Sequence, residues 1–556
     1  MMQLEVVWIL IKTGLRMSAE HVPGLPARVD IYDTTLRDGS QQEGLSLSVD
    51  DKLRVALQLD SLGVAYIEGG WPGANPKDEE FFRRAQNELK LTTAKLVAFG
   101  STRRATTSAD EDPTLRALVE AKTSGVCIVG KAWDYHVERA LRTTLDEGVR
   151  MVADSVRFLH SQGIDVFLDA EHFFDGYKSN RAFTLDILKA AQDSGAKTLV
   201  LCDTNGGTLP HEVEEIIGAI SSSFSTQIGV HFHNDSGCAV ANALAAVKMG
   251  ATHVQGCING YGERTGNSDL SVTIPNLSLK MGVETVPTER IELLSSVSRH
   301  VAEIVNINLD PQKPYVGTSA FTHKAGLHVS AISRRKDAYE HVSPELVGNG
   351  SRFVVSEMSG KSTVAIKAAE LGLDLDSEEM AQVLEHLKEL EHKGYHFEAA
   401  DGSLEIVMRE ASGWKQEFFK LESFRVITDH REGIGAVTEA TVKVIVEGSR
   451  MIATAEGNGP VNALDSALRK ALAPYFKELA KVHLTDFRVR VLDSALGSGA
   501  VVRVLLDSSD GNETWSTMGV SENIIDASWQ ALIDSIVVGL IKVAAGTPNQ
   551  AVGGRL

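Results

Sequence analysis

The 556-residue chain lacks the compositional marks of nucleic-acid-binding and disulfide-rich secreted proteins. It has no basic excess: 55 Lys and Arg stand against 74 Asp and Glu, a formal net charge of −19. Nucleic-acid binders concentrate Lys and Arg to displace counterions from phosphates, so no nucleic-acid partner is expected. The 4 cysteines include no CxxC pair, which argues against a disulfide framework or a thiolate zinc site and favours a reducing cytoplasm.

Long hydrophobic runs are also scarce. The one membrane-like stretch, VVWILIKTGL near the start, is short, is interrupted by Lys12 and follows an acidic opening. We interpret residues 1–27 as an N-terminal extension, with Met17 a candidate start, rather than as a signal peptide. No membrane association is expected.

What the sequence does contain is a βα rhythm. Between residues 28 and 285, apolar runs suited to strands buried on both faces alternate with amphipathic stretches such as VDDKLRVALQLDSLG. Because the runs number eight, we predict an α/β fold whose first domain, residues 28–285, is a (β/α)8 TIM barrel. A doubly wound sheet is the alternative, but no GxGxxG follows the first run. The runs are RVDIYDTT, VAYIEGG, KLVAFG, GVCIVG, IDVFLDA, TLVLCDTN, IGVHFHND and HVQGCING.

The rhythm stops after the barrel. Residues 286–410 are predicted to form a mostly helical subdomain that covers the active site. Residues 415–545 alternate with period two in EATVKVIVEG and VVRVLLDSS, each followed by a helix-like segment. The resemblance of GNGPVNALDSALRKAL to GVSENIIDASWQALIDSI suggests an α+β domain with an internal repeat, which suits effector binding or dimerisation better than catalysis.

Two histidines in the seventh run favour a metal site. His231 and His233 are two apart in a strand and therefore share a face. Asp33 and Asp38 end the first strand, and Asn267 follows the eighth, and strands one, seven and eight are neighbours around a closed barrel. These groups can converge on Mg, Mn, Zn or Co and leave positions open for a bidentate 2-oxo acid. Structural histidines are the competing interpretation.

Other polar residues fall at strand ends, where barrel active sites are built. Arg37 is suited to stabilising charge that develops on an oxygen, and we expect its carboxylate partner to be Glu171 or Glu263. Thr204 offers a hydroxyl to a substrate carboxylate. His328, beyond the barrel, is a candidate for proton transfer because histidine titrates near neutral pH.

The segments YDTTLRDGSQ, HFHND, GERTGN and THKAGLH, in this order, resemble the 2-isopropylmalate, homocitrate and citramalate synthases of the DRE-TIM metallolyase superfamily. EGGWPGANPKD, LDAEHFFDGYK and YEHVSPELVGN resemble the citramalate synthase subgroup, and the likeness covers residues 28–545. The resemblance implies assignments for the site. The implied metal ligands are Asp38, His231 and His233, with Asn267 in or beside the shell. The implied catalytic residues are Arg37, Glu171, His328 and Tyr339, and the implied substrate-binding residues are Arg37, Thr204 and Glu263.

The same resemblance implies a reaction and partners. Acetyl-CoA and pyruvate would condense with water to (R)-citramalate and CoA, the first step of a threonine-independent isoleucine pathway. A homodimer is implied, in which His328 and Tyr339 belong to a segment that covers the partner's active site. The C-terminal domain would bind isoleucine or leucine as feedback effector. One departure concerns the covering segment. Some relatives have an acidic residue shortly after the histidine that corresponds to His328, whereas this chain reads HVSA from His328.

Four alternatives share parts of this pattern. A 2-isopropylmalate or homocitrate synthase would use 2-oxoisovalerate or 2-oxoglutarate instead of pyruvate. A hydroxymethylglutaryl-CoA lyase needs a cysteine where this chain has YGERTGNSD, and a biotin-dependent carboxyltransferase needs a modified lysine where it has Cys202-Asp203-Thr204. A non-catalytic amino-acid sensor would have no physical need for charged groups at the barrel mouth.

Overall fold

The computed structural model describes residues 22–324, 328, 331–332, 334–355, 359–414, 417–432, 435–492 and 499–546. Most of the predicted N-terminal extension, residues 1–21, lies outside the described residues. The chain forms two compact units. One holds the described residues up to 321 together with 340–351, and the other holds 322–339 and those from 352 onward.

The first unit is a closed barrel of eight parallel strands in sequence order, which confirms the predicted fold. Strand β1 pairs with β8 from Asp30 opposite His253 to Asp33 opposite Gly256, and so closes the barrel. Each strand falls within its predicted apolar run or differs from it by a residue at the ends. The strands are β1 Asp30–Asp33, β2 Tyr66–Glu68, β3 Lys95–Ser101, β4 Gly125–Lys131, β5 Asp165–Glu171, β6 Thr198–Asp203, β7 Gln227–Phe232 and β8 His253–Gly256.

Helices follow the strands and pack their apolar faces on the barrel. The first, α1, begins at a capping box in which Ser48 and Asp51 bond each other's backbone N–H, and it ends at Gly63, whose φ of 94° favours glycine. The helices of this unit are α1 Val49–Leu62, α2 Pro76–Glu88, α3 Pro113–Glu120, α4 Asp134–Arg139, α5 Leu145–Ser161, α6 Phe173–Ser179, α7 Arg181–Asp193, α8 Pro210–Ile220, α9 Ala239–Lys248, α10 Leu270–Pro275 and α11 Leu294–Val305.

Aromatic side chains fill part of the barrel interior. The ring of Tyr32 lies 5.5 Å from that of Phe167 and 5.2 Å from that of His253, and Tyr66 lies 5.0 Å from Phe167. These residues are buried. Since the interior is packed there, polar chemistry is left to the carboxyl ends of the strands, as in other barrels.

A buried ion pair joins α1 to α2. The Nζ atom of Lys52, whose residue is 2% exposed, donates to the Gly69 carbonyl oxygen at 3.0 Å and to the carboxylate of Asp78. Substituting Lys52→Met should lower the free energy of unfolding by about 3 kcal/mol, because it leaves the Asp78 charge buried without its cation. Urea denaturation measures the loss, with exposed Lys77→Met as the matched control. Equal stabilities of the two variants would contradict the expectation.

The second unit contains two copies of a three-stranded antiparallel sheet followed by a helix, which confirms the predicted internal repeat. Each copy has more strands than the single strand–helix unit suggested by the sequence comparison. The first copy is β11 Lys420–Arg431, β12 Gly435–Val446, β13 Ser449–Gly457 and α15 Pro460–Leu472, and the second is β14 His483–Val491, β15 Val502–Ser509, β16 Thr514–Ser521 and α16 Ile524–Gly546.

The same unit also contains a helical part, consisting of α12 Lys361–Glu370, α13 Ser377–His392 and α14 Asp401–Ala411, and the two-residue parallel strands β9 Thr322–His323 and β10 Arg352–Phe353. Within α16, the window Ile524–Val543 is long and apolar enough to cross a membrane by length and composition alone. That window is 56% buried, and α16 packs on β15 and β16, as the core helix of a domain does.

Candidate active site

Three ligand-type side chains meet at the carboxyl end of the barrel. The Nε2 atom of His231 lies 3.1 Å from Oδ2 of Asp38 and 3.3 Å from Nε2 of His233. The Nε2 atom of His233 lies 3.7 Å from the same Asp38 oxygen. All three residues are buried, and one ligand atom from each lies within 4.8 Å of the others.

Local structure explains the convergence. His231 lies in β7, and His233 follows its last residue on the same face, while Asp38 begins the short turn after β1. Bonds between loops hold this end of the barrel together. His233 forms an isolated bridge with Asn267, and the Asn234 backbone N–H donates to the Gly266 carbonyl oxygen at 2.9 Å.

The charge states of Asp38 and His233 suit a divalent metal. Burial alone would lower the pKa of His231, but the hydrogen bond to Asp38 and the charge of Asp38 raise it above its usual range. Burial and the neighbouring His231 lower the pKa of His233 to about 4, so this imidazole is neutral at physiological pH, the form that binds metals. Burial alone would raise the pKa of Asp38, but the charge of Arg37 and the hydrogen bond from His231 outweigh it, and the pKa falls well below its usual range. The site therefore offers an anionic oxygen and a neutral ring nitrogen.

An unpartnered buried atom fits the same conclusion. Within the described part of the chain, Asn267 Oδ1 is buried without a hydrogen-bond partner. The Asn267 amide nitrogen donates to the Tyr261 carbonyl oxygen at 3.1 Å, which leaves its oxygen available. A carboxylate oxygen, imidazole nitrogens and an amide oxygen are a donor set that divalent cations accept.

Arg37 lies beside this group, held by different partners from those predicted. Its Nε donates to the Glu68 carboxylate, its guanidinium carbon lies 3.8 Å from the centre of the Phe99 ring, and its Nη1 is 3.6 Å from Asp38 Oδ2. The Tyr32 hydroxyl donates to the other Glu68 oxygen at 2.6 Å. The prediction that Glu171 or Glu263 pairs with Arg37 is wrong, because Glu68 ends the adjacent strand β2 and occupies the Nε side of the guanidinium.

The two carboxylates predicted to pair with Arg37 have other partners. Glu171, at the end of β5, forms an ion pair with Lys131, at the end of β4. Glu263 lies 3.6 Å from Nη1 of Arg264. Asp33, the other acid of the first strand, accepts hydrogen bonds from the Thr35 hydroxyl and backbone and from the Ile258 N–H, and it stabilises the loops rather than joining the ligand group.

Thr204 and Arg264 organise the neighbouring loops. The Thr204 hydroxyl oxygen accepts from the His172 backbone N–H at 2.9 Å, which leaves the hydroxyl hydrogen available to a ligand. Arg264 donates to both Asp235 oxygens, at 2.7 and 2.9 Å, and to the Thr204 carbonyl oxygen at 2.8 Å. In the same segment, a Cβ at Gly266 would lie 1.9 Å from the Gly260 oxygen, so only glycine fits.

A cavity of about 660 Å³ opens over these groups. Its size suits a small acid together with part of a larger co-substrate. Strands β3 to β7 contribute residues at or near their carboxyl ends. The loops after β1, β2 and β8 contribute Arg37 and Asp38, Trp71, and Glu263. The polar and charged lining includes Arg37, Asp38, Lys131, Asp169, Glu171, Thr204, His231, His233 and Glu263.

Two predicted residues lie in the second unit. The rings of His328 and Tyr339 stack with centroids 4.0 Å apart, and Tyr339 is 49% exposed. Their part in catalysis stays a prediction.

Sequence reasoning assigned no role to four residues that the structure places in or against the site. Glu68 and Lys131 end their strands, a signal that could have identified them. Asp169 and Gln255 lie inside β5 and β8, where runs buried on both faces hide which side chains point inward.

The fold and the site define a class: a (β/α)8-barrel enzyme with a buried Asp-His-His group suited to a divalent metal. Three family models match in order along the chain: HMGL-like over residues 28–297, the homocitrate synthase post-HMGL domain-like model over 315–395, and the LeuA allosteric (dimerisation) domain over 398–539.

Curated relatives narrow the class. The (R)-citramalate synthase of Streptomyces coelicolor is 50% identical over 92% of this chain and 96% of its own length. Those of Aquifex aeolicus and Geobacter sulfurreducens are each 49% identical, over 93% and 92% of this chain and 98% of their own lengths. The chain belongs to the (R)-citramalate synthase family.

Proposed function

We propose that this enzyme condenses acetyl-CoA with pyruvate and water to give (R)-citramalate and CoA. The observation that carries the proposal is the buried Asp38–His231–His233 group beside Arg37, in a cavity large enough for a 2-oxo acid and the acetyl end of acetyl-CoA. The near full-length identity to synthases named for this product supports pyruvate as the acceptor.

Asp38, His231 and His233 would hold a divalent cation, with Asn267 Oδ1 beside them. Mg, Mn, Zn and Co all accept such a mixed donor set. When bound, the metal supplies Lewis-acid polarisation of a substrate carbonyl oxygen. The remaining chemistry falls to side chains of the cavity.

Arg37 stabilises negative charge on the thioester enolate oxygen and on the new alkoxide, because Glu68 and Phe99 hold its guanidinium in place before the reaction. Glu171 is a carboxylate of the cavity lining and takes a methyl proton from acetyl-CoA, with Lys131 orienting it. The enolate carbon then bonds to C2 of pyruvate, whose carboxylate accepts from the Thr204 hydroxyl. The alkoxide takes up a proton, and water cleaves the thioester to release CoA as a thiol.

The test is a comparison of CoA release from acetyl-CoA with pyruvate, 2-oxoisovalerate and 2-oxoglutarate, followed with a thiol reagent in the presence of a divalent metal. Pyruvate should give the highest kcat/KM. A faster reaction with either other acid would reassign the substrate, since one or two pocket side chains decide between acceptors that differ by methylene groups. No CoA release with any acid, together with isoleucine binding, would favour the sensor.

We also propose that the C-terminal domain dimerises the enzyme and binds isoleucine or leucine as effector. The described structure contains a surface suited to a second copy. Edge strand β14 has four apolar residues that are 38–50% exposed: Leu484, Phe487, Val489 and Val491. They pair with Ser508, Leu506, Val504 and Val502, so they continue the face that α16 covers on β15 and β16. An uncovered apolar edge requires a partner to avoid aggregation.

Substituting Phe487→Asp should weaken dimerisation by at least about 100-fold, because it places a charge in a desolvated apolar contact. Sedimentation-velocity measurements over a dilution series give the dimer dissociation constant. Arg490→Asp changes the opposite face of the same strand, and its dimer dissociation constant should stay within about threefold of the wild-type value. A Phe487→Asp variant that dimerises like the wild type would show that β14 is not the interface.

A further inference from the structure

A hydrogen-bond chain crosses the barrel interior behind the ligand group. Gln255, in β8, is fully buried, and its side chain connects a residue of β7 to a residue of β5. Its Oε1 lies 2.9 Å from His231 Nδ1, and its Nε2 donates to Asp169 Oδ1 at 2.9 Å. Asp169 lines the cavity, and Gln255 does not.

The chemistry of the three groups determines which atom donates and which accepts in each hydrogen bond. An amide oxygen only accepts, so His231 Nδ1 must carry its hydrogen and donate it to Gln255. The carboxylate of Asp169 accepts from the amide NH₂ and so sets the amide orientation. A flipped amide would place two acceptors, its own Oε1 and the Asp169 carboxylate oxygen, against each other, so the contact with Asp169 sets which amide atom faces His231. In the observed arrangement His231 Nε2 is left to face Asp38 and His233.

We propose that Gln255 and Asp169 are positioning residues that hold His231 in the one tautomer and ring orientation able to bind the metal. The inference rests on the proposed metal site. It adds that Asp169, a carboxylate of the cavity wall, is connected to the proposed metal-binding residue His231 through the side-chain amide of Gln255. Groups that accept the second ring N–H of a metal-binding histidine typically change metal affinity 10- to 100-fold when removed, by order of magnitude.

The test measures the affinity of the purified enzyme for Mn²⁺ alone, by isothermal titration calorimetry without substrates. Gln255→Met keeps the side-chain volume but removes the acceptor, so the dissociation constant should rise about 10- to 100-fold. Asp169→Asn should bind within about threefold of the wild type, because its amide oxygen still accepts from Gln255. Gln227→Met, at the opposite end of β7 from His231, is the matched control and should also bind within about threefold.

A double variant separates positioning from packing. In Gln255→Glu with Asp169→Asn, the new carboxylate accepts from His231 Nδ1 and the new amide donates to that carboxylate, so Mn²⁺ affinity should return to the wild-type level or above. This variant also decides the question if Gln255→Met does not fold. Wild-type affinity in Gln255→Met, or lost affinity in the double variant, would overturn the inference and leave the proposed function standing. No Mn²⁺ binding by the wild type would overturn the metal site and the inference together.

Discussion

Substituting Asp38→Asn is expected to reduce CoA release from acetyl-CoA and pyruvate by at least about 10³-fold at saturating Mn²⁺. Asp38 is the one carboxylate of the ligand group, and its oxygen lies within 3.7 Å of both histidine nitrogens. Asparagine keeps the shape but removes the negative charge that offsets the cation. A coupled thiol assay gives kcat and KM, and metal analysis of the dialysed variant should show less bound ion than the wild type.

Asp30→Asn is the matched control, because Asp30 begins β1, the strand that precedes Asp38, and lies at the opposite end of the barrel. Its interactions there are with Arg28, at 3.7 Å, and with the Gln227 amide, at 3.2 Å. The control should keep its rate within about twofold, since exposed ion pairs contribute little. An Asp38→Asn enzyme that retains a tenth or more of wild-type activity would contradict the assignment of Asp38 as a ligand.

The second large effect concerns Arg37→Lys, which should lower kcat about 10²- to 10³-fold with a smaller change in KM. A lysine keeps the charge but presents a single ammonium. The planar guanidinium bonds to Glu68 through Nε, stacks on Phe99 and still has N–H groups for a reacting oxygen. An ammonium group cannot do all three at once. Steady-state kinetics with acetyl-CoA and pyruvate measure kcat and KM separately.

Arg84→Lys provides the comparison for Arg37→Lys. Arg84 pairs with Asp50 and Glu88 on the exposed faces of the helices, so the same chemical change there should leave kcat unaltered. If Arg37→Lys also retained the wild-type kcat, a fixed guanidinium could not be the group that stabilises the developing charge.

The fold and the ligand group could be predicted from the sequence because both depend on short-range rules. Eight apolar runs predict a closed barrel, and residues at or shortly after the carboxyl ends of strands one and seven lie at the same end of it. The two-residue spacing of His231 and His233 places both rings on one face without further information. The positions of Asp38, His231 and His233 needed only the strand order.

The hydrogen-bond partners of Arg37 and His231 come from strands that are far from them in the sequence, so short-range sequence patterns do not reveal them. Glu68 rather than Glu171 holds Arg37 because β2 is the neighbour of β1 in the barrel order. Gln255 and Asp169 meet across the interior from β8 and β5, which do not pair directly. Since both faces of these strands are buried, apolar periodicity gives no sign of which residues point inward.

The C-terminal repeat was predicted with too few strands for a related reason. In β11, Leu421 and Phe424 are three residues apart and residues 428–431 are all polar, while β14 alternates only from Phe487 to Val491. Alternation that is short or interrupted is a weaker strand signal than a full alternating run. The central strand of each sheet, β12 or β15, has the clearer alternation that the sequence analysis detected.

The most direct measurement is anomalous diffraction at the manganese edge from crystals of the enzyme grown with Mn²⁺ and pyruvate. The account predicts one strong peak bonded to an oxygen of Asp38 and to Nε2 of both His231 and His233, with His231 Nδ1 still donating to Gln255. A manganese peak elsewhere, or pyruvate bound in the cavity with no ion touching these three side chains, would contradict it.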